Sequence, residues 1–198
     1  MRFVYIHGFA SSPQSRKARA FEAALAEKGI GLEIPAMDEG DFEHLTILGQ
    51  LALLERLIDE QPVRLIGSSM GGYLAALYAS LHPELDRLVL MAPAFGFAPR
   101  WKTRVAEDAD IEVYHYGDKT TRHVHYGLIE DAMRFPARPA FGQPALIFHG
   151  MNDDVVPVEY SREAAARQPN ARLVELDSDH ELLDVLPEII VQAVDFLK

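Results

Sequence analysis

Short apolar runs alternate along this chain with stretches whose apolar residues recur every three or four positions. "RFVYIH" (2–7), "GLEIPA" (31–36), "VRLIGS" (63–68), "LDRLVLMAP" (85–93), "QPALIFHG" (143–150) and "ARLVELD" (171–177) read as strands. Several are apolar without alternation, which suits strands covered on both faces. Between them, 15–29, 43–60, 70–81, 158–168 and 182–198 carry helical spacing. In the first of these, Ala18, Phe21 and Leu25 share one face and Gly29 supplies a stop. Pro187 is expected to bend the start of the last. Strand and helix in turn predict one α/β domain over residues 1–198, with right-handed crossovers and a mainly parallel sheet of about six strands flanked by helices.

The alternation breaks over about residues 95–141, after the fourth strand. "IEVYHYGDKTTRHVHYG" suits a β-hairpin turning near Gly117 and Asp118. Its acids and bases balance, so the negative excess of the chain lies elsewhere. We read the segment as a short lid insertion between two sheet strands. A turn at Asp118–Thr120 would set His115 opposite His123, with His125 on the face of His123. Three imidazoles in that arrangement could ligate zinc, but a polar lid face is the plainer reading, and no metal is assigned.

The net charge of −11 disfavours nucleic acid and anionic membranes as partners. No apolar run is long enough to span a bilayer, and the opening "MRFVYIHGFASSP" lacks the form of a signal peptide. There is no cysteine, which removes disulfides, thiolate catalysis and cysteine metal sites. These features suit a cytoplasmic protein acting on a small molecule; oligomeric state is not legible.

The chemistry concentrates where apolar runs stop. "GSSMG" (67–71) joins a strand to a helix and matches G-x-S-x-G with Ser69 central. A sharp turn there lifts the serine side chain clear of the sheet, and the N–H of Met70 at the helix start can face a developing oxyanion. The plainer reading is a connecting loop with Ser68 as a cap. A serine needs a base. His180 follows the last strand and Asp153 follows the strand before it, so acid and base succeed Ser69 in the order this motif demands. Asp177 and Asp179 are alternative partners for His180. The loop after the first strand, "HGFASSP", offers the N–H of Phe9 or Ala10 as a second oxyanion donor. His7, Ser11 and Ser12 read as turn or backbone-bonding residues. In the excursion, Trp101 and Phe97 are candidates for an apolar substrate pocket. "GSSMGG" lacks the lysine of a phosphate-binding loop.

Taken in order, "HGF", "GSSMGG", "HGMNDDVVP" and "SDH" resemble the α/β-hydrolase superfamily over nearly the whole chain. "VYIHGFASSPQSRKA" with "GSSMGGYLAALYA" further resembles the compact bacterial YqiA-like esterases. The resemblance implies an α/β-hydrolase fold, a catalytic triad of nucleophile Ser69, base His180 and acid Asp153, and the backbone N–H groups of Met70 and Phe9 as oxyanion hole. It implies a cofactor-free serine esterase or thioesterase acting on a small-molecule acyl ester or thioester. Lactone, peptide or carbon–carbon bond cleavage, and ligand binding without catalysis, are the rival readings.

Overall fold

A computed structural model describes residues 1–58, 62–107 and 109–198. Asp59 and Glu60, the end of the helix expected over 43–60, and Asp108 in the excursion lie outside the described residues. The strands are β1 (Arg2–Ile6), β2 (Val63–Ser68), β3 (Arg87–Met91), β4 (Ile111–His115), β5 (Thr120–Val124), β6 (Ala145–Gly150) and β7 (Ala171–Leu176). The helices are α1 (Arg16–Ala26), α2 (Ile47–Leu57), α3 (Met70–Leu81), α4 (Phe97–Lys102), α5 (Gly127–Ala132), α6 (Glu159–Arg167) and α7 (Leu186–Phe196).

Among the described residues the parallel sheet has five strands, one fewer than the six expected, in the order β1-β2-β3-β6-β7, every neighbouring pair parallel. The run at 31–36 contributes a single parallel bridge, Glu33 to Val4. It is closed by the Tyr5 N–H to the Glu33 carbonyl at 2.8 Å and the Glu33 N–H to the Phe3 carbonyl at 2.9 Å. Pro35 follows two residues on and has no N–H with which to extend the ladder.

Alternate side chains of each strand enter opposite layers. Val4, Ile6, Leu65, Leu88, Leu90 and Ile147 join a core with α2, α3, α6 and the excursion helices α4 and α5. Tyr5, Ile66, Val89, Met91, Leu146 and Phe148 pack against α1 and α7 on the other face. α3 is buried all round, Met70 through Ala79, because α2 and the excursion cover the sides that the sheet does not. Every strand of the parallel sheet points its carboxyl end to one edge, and ligands of such sheets bind there.

Two helix starts and the hairpin register differ from the sequence reading. α2 begins at Ile47, with Thr46 capping the Gly49 N–H at 3.0 Å. α7 begins at Leu186 and is not bent by Pro187, which occupies the first turn where no N–H is needed. The hairpin β4–β5 forms, but in a different register: His115 faces Thr120 and Glu112 faces His123. Asp118 sets the turn by accepting from the Thr120 N–H and hydroxyl at 3.2 and 2.7 Å. His115 pairs with Asp118 and His125 with Asp110, while His123 is exposed. Among the described residues no group of three His, Cys, Asp or Glu side chains is arranged to hold a metal.

Candidate active site

Ser69 sits between β2 and α3 at φ 53°, ψ −118°, a conformation that costs on the order of 1–3 kcal/mol for a residue with a Cβ. The turn is held from the neighbouring strand end: the Ser69 N–H donates to the Met91 carbonyl and the Ala94 N–H to the Ser69 carbonyl, both at 2.9 Å. Gly71 lets the turn seat against β1, since a Cβ there would collide with the carbonyl oxygens of Ile6 and His7. Ala10, Ala92 and Leu182 also have positive φ. With Ser69 they place the strained backbone of four separate strand-end loops on one edge of the sheet.

At that edge three side chains form a hydrogen-bonded chain. Ser69 Oγ lies 3.0 Å from His180 Nε2, and His180 Nδ1 lies 2.7 Å from Asp153 Oδ2. An ionised carboxylate only accepts, so Nδ1 carries the proton and Nε2 is left to accept from the serine hydroxyl. The Asp153 side chain is fully buried. Its Oδ1 accepts the Val155 and Val156 N–H groups at 2.9 and 2.7 Å. Burial would raise its pKa, but the ring N–H groups of His149 and His180 and the Val156 N–H hold it well below the usual carboxylate range.

The other acids turn elsewhere. Asp154 is exposed. Asp177 accepts from the Asn152 side-chain amide at 2.8 Å, and Asp179 Oδ1 caps the Glu181 and Leu182 N–H groups at 2.9 and 3.2 Å. Ser68 is buried in β2. The loop that carries His180 crosses the end of β6 directly over Gly150, where a Cβ would strike the carbonyl oxygens of Ser178 and Asp179.

Phe9 and Met70 flank the serine. A Cβ at Gly8 would stand 3.4 Å from the Ser69 Cβ, so the loop after β1 lies against the serine side chain. Among the described residues neither the Phe9 nor the Met70 N–H has an acceptor. The Ala10 carbonyl accepts the Tyr116 N–H at 2.7 Å, which ties this loop to the hairpin. His7 accepts the Met37 N–H on Nε2 at 3.3 Å and donates from Nδ1 to the Gly8 carbonyl at 3.0 Å, so its ring is neutral. Burial lowers its pKa, against the pull of the Gly8 carbonyl. Ser12 accepts the Gln14 N–H in a turn.

Phe97 is buried, edge-on to Tyr73 at 5.2 Å and to Trp101 at 5.7 Å between ring centres. Trp101 is half-buried and meets Phe9 edge-on at 5.2 Å; Phe9 in turn meets Phe42 at 5.3 Å. A row of rings therefore runs from Tyr73 on α3 through Phe97 and Trp101 on α4 to Phe9 in the loop beside Ser69, with Phe97 buried and Trp101 and Phe9 half-buried.

Two residues that the sequence reading passes over belong to this edge. His149, next to last in β6, is fully buried, with Nε2 3.1 Å from Asp153 Oδ2. In sequence it is only a histidine near the end of an apolar strand. Lys17 in the first turn of α1 is also buried, and its Nζ donates to the Glu181 carbonyl, next to His180, at 2.9 Å. Burial pulls its ammonium below the ordinary lysine range while Glu181, Asp179 and Asp153 oppose the shift. The available signal is positional: two cations, Arg16 and Lys17, open a helix at its positive end with no acid in the turn.

Comparison with known proteins gives the same architecture. A hydrolase described as uncharacterized, YugF of Bacillus subtilis (strain 168), is 26% identical over 247 residues, covering 98% of this chain and 89% of that protein. The solved structure of mouse alpha/beta hydrolase domain-containing protein 10 superposes with a TM-score of 0.82 at 21% identity, covering 98% of this chain and 88% of the other. Est1E of Butyrivibrio proteoclasticus, solved with ferulic acid bound, gives 0.82 at 20% over the same shares. The monoacylglycerol lipase of Paleococcus ferrophilus gives 0.77 at 18%, covering 98% and 93%. At these identities the structural likeness carries the fold alone, and that fold is the α/β hydrolase. A family model matches residues 2–198, and the chain belongs to that family, the YqiA-like α/β hydrolases described as "Uncharacterised protein family (UPF0227)".

Proposed function

We propose that this chain is a cytoplasmic serine hydrolase that cleaves carboxylic esters or thioesters of short- to medium-chain acyl groups. The observation that carries the reading is the chain Ser69 Oγ, His180 Nε2, His180 Nδ1, Asp153 Oδ2, with steps of 3.0 Å and 2.7 Å across the ring. Support also comes from the relatives: YugF is described as a hydrolase, one structural neighbour is a monoacylglycerol lipase and another holds ferulic acid.

In this reading Ser69 Oγ attacks the acyl carbonyl carbon while its proton passes to His180 Nε2. The carbonyl π bond opens, and the oxyanion is held by the N–H groups of Met70 and Phe9. Asp153 keeps Nδ1 protonated and stabilises the imidazolium. His180 returns the proton to the leaving oxygen or sulfur as the carbon–leaving-group bond breaks, giving an acyl-Ser69 ester. A water then enters in place of the leaving group, gives its proton to His180 and attacks the ester. Collapse frees the acid and restores the serine. The chemistry needs no cofactor. The segment 95–141 acts as a lid, and Trp101 with Phe97 behind it forms an apolar wall for the acyl chain. Apolar rings beside the nucleophile suit an acyl chain and offer a charged peptide no partners.

A panel of 4-nitrophenyl esters, acyl-CoA thioesters and peptides tests this. Turnover of short and medium acyl esters or thioesters with negligible peptide cleavage is the expected result. Efficient peptide cleavage, or no turnover of any ester or thioester, would refute it.

A further inference from the structure

His149 is fully buried and the reaction above makes no use of it. Its ring is nonetheless held at both nitrogens. Nε2 lies 2.9 Å from the Val156 carbonyl and 3.1 Å from Asp153 Oδ2, and Nδ1 lies 2.7 Å from Ser161 Oγ on α6. A carbonyl only accepts, so Nε2 must carry a proton. That proton points at Val156, with the carboxylate oxygen beside it. The Val156 N–H, in turn, donates to the other oxygen of the same carboxylate at 2.7 Å. The contacts close a ring: Ser161 fixes the imidazole, the imidazole fixes the carbonyl side of Val156 and flanks Oδ2, and the N–H side of Val156 fixes Oδ1.

We infer that His149, oriented by Ser161, is a positioning residue for the proposed hydrolysis: it sets the plane of the Asp153 carboxylate so that Oδ2 faces His180 Nδ1. The inference rests on Asp153 being the acid of the triad. The loop 151–157 leaves the sheet at Gly150; the Met151 and Asn152 N–H groups tie its start to the Leu176 and Ser178 carbonyls, and the contacts of Asp153 and Val156 hold its middle. Without the ring, Oδ1 keeps its two N–H donors, but the carboxylate is free to rotate about them and Oδ2 moves off the imidazole axis. Misplacement of a catalytic group by about 1 Å costs on the order of 10²-fold. A histidine that merely fills the core would lower stability without this signature.

The test measures kcat and KM for 4-nitrophenyl butyrate, together with the rate of covalent labelling of Ser69 by a fluorophosphonate, which needs no turnover. His149→Met fills the space without an N–H. It should lower kcat and the labelling rate by about 10²-fold with KM nearly unchanged. His149→Gln places an amide N–H near the position of Nε2 and should recover at least tenfold of that loss. Ser161→Ala removes one hydroxyl from an otherwise intact helix and should cost roughly fivefold, the worth of one hydrogen bond. It gives the same readout should His149→Met not fold. In the Asp153→Asn background each of these changes should cost less than about twofold, because residues acting through one group are not additive.

Equal fold-losses in the wild-type and Asp153→Asn backgrounds, wild-type rates in folded His149→Met, or an effect confined to KM would overturn the inference and leave the triad standing. A Ser69 that does not label in the wild-type chain would overturn the triad and the inference with it.

Discussion

Replacing Asp153 by Asn changes one oxygen for an NH₂ group, and the surroundings decide which one. Oδ1 faces two backbone donors, the Val155 and Val156 N–H groups at 2.9 and 2.7 Å, so an NH₂ there would meet two N–H groups and bond neither. The amide oxygen must take that side. Its NH₂ then takes the place of Oδ2, where the neighbouring His149 Nε2–H lies nearer the Val156 carbonyl (2.9 Å) than this position (3.1 Å), and it faces His180 Nδ1, 2.7 Å away in the native chain; the favourable arrangement makes Nδ1 an acceptor. The ring proton moves to Nε2, which faces Ser69 Oγ at 3.0 Å and can no longer accept the serine proton. The base is lost while the geometry is kept. A wrong-tautomer histidine in a serine hydrolase costs about 10⁴-fold in kcat, or roughly 5 kcal/mol of transition-state stabilisation. Asp154→Asn is the control, since that side chain is exposed and should leave kcat within about twofold. Initial rates on 4-nitrophenyl butyrate measure both. Retention of more than a tenth of the activity by Asp153→Asn, or an equal loss in Asp154→Asn, would show that Asp153 does not set the His180 tautomer.

Three further outcomes follow from the same contacts. Asp153 has a depressed folded pKa, so its stabilising contribution is present above the unfolded carboxylate value of about 3.9 and is lost as pH falls through the lower folded value. Urea midpoints of the wild type should therefore drop more steeply below pH ~4 than those of Asp153→Asn, and parallel curves would contradict this. Gly150→Ala inserts a Cβ against the Ser178 and Asp179 carbonyls, which should destabilise by about 1–3 kcal/mol and carry His180 off the serine. An unchanged melting temperature with full activity would show that the loop does not depend on that close approach. Trp101→Ala removes the half-buried ring between Phe97 and Phe9, so the acyl chain-length preference should shift more than turnover of the acetyl ester falls. Equal losses across all chain lengths would remove Trp101 from the acyl wall.

Where a single local feature dictates an element, the sequence reading and the structure agree closely. The Gly-Ser junction marks the end of β2 and the start of α3 to the residue, because only a sharp turn accommodates "GSSMGG" between an apolar strand and an apolar helix. Ser69, Asp153 and His180 are legible for the same reason: each follows the end of an apolar run, and all the runs share one direction. Tertiary partners explain the rest. Residues 43–46 carry helical apolar spacing, yet the Glu43 carbonyl is taken by the His125 N–H at 2.9 Å and Thr46 caps the helix that follows. Residues 182–185 likewise serve the His180 loop rather than α7, with Leu182 at φ 56° bonded to Asp179 and Asp184 bonded to Ser178. The hairpin register hinges on Asp118 choosing Thr120, a local hydrogen bond that residue spacing does not reveal. The roles of His149 and Lys17 are invisible in sequence because they depend on how the loop after β6 folds back with α6 and on where the His180 loop meets α1, and an apolar run with a histidine at its end looks the same whether the ring meets solvent or a buried carboxylate.

Whether Ser69 is the nucleophile is decided by active-site labelling with a fluorophosphonate followed by peptide mass spectrometry. One adduct per chain is expected, on the peptide carrying Ser69, retained in Ser68→Ala and abolished in Ser69→Ala. Labelling that survives Ser69→Ala, or that falls on Ser68 or on any other residue, would contradict it.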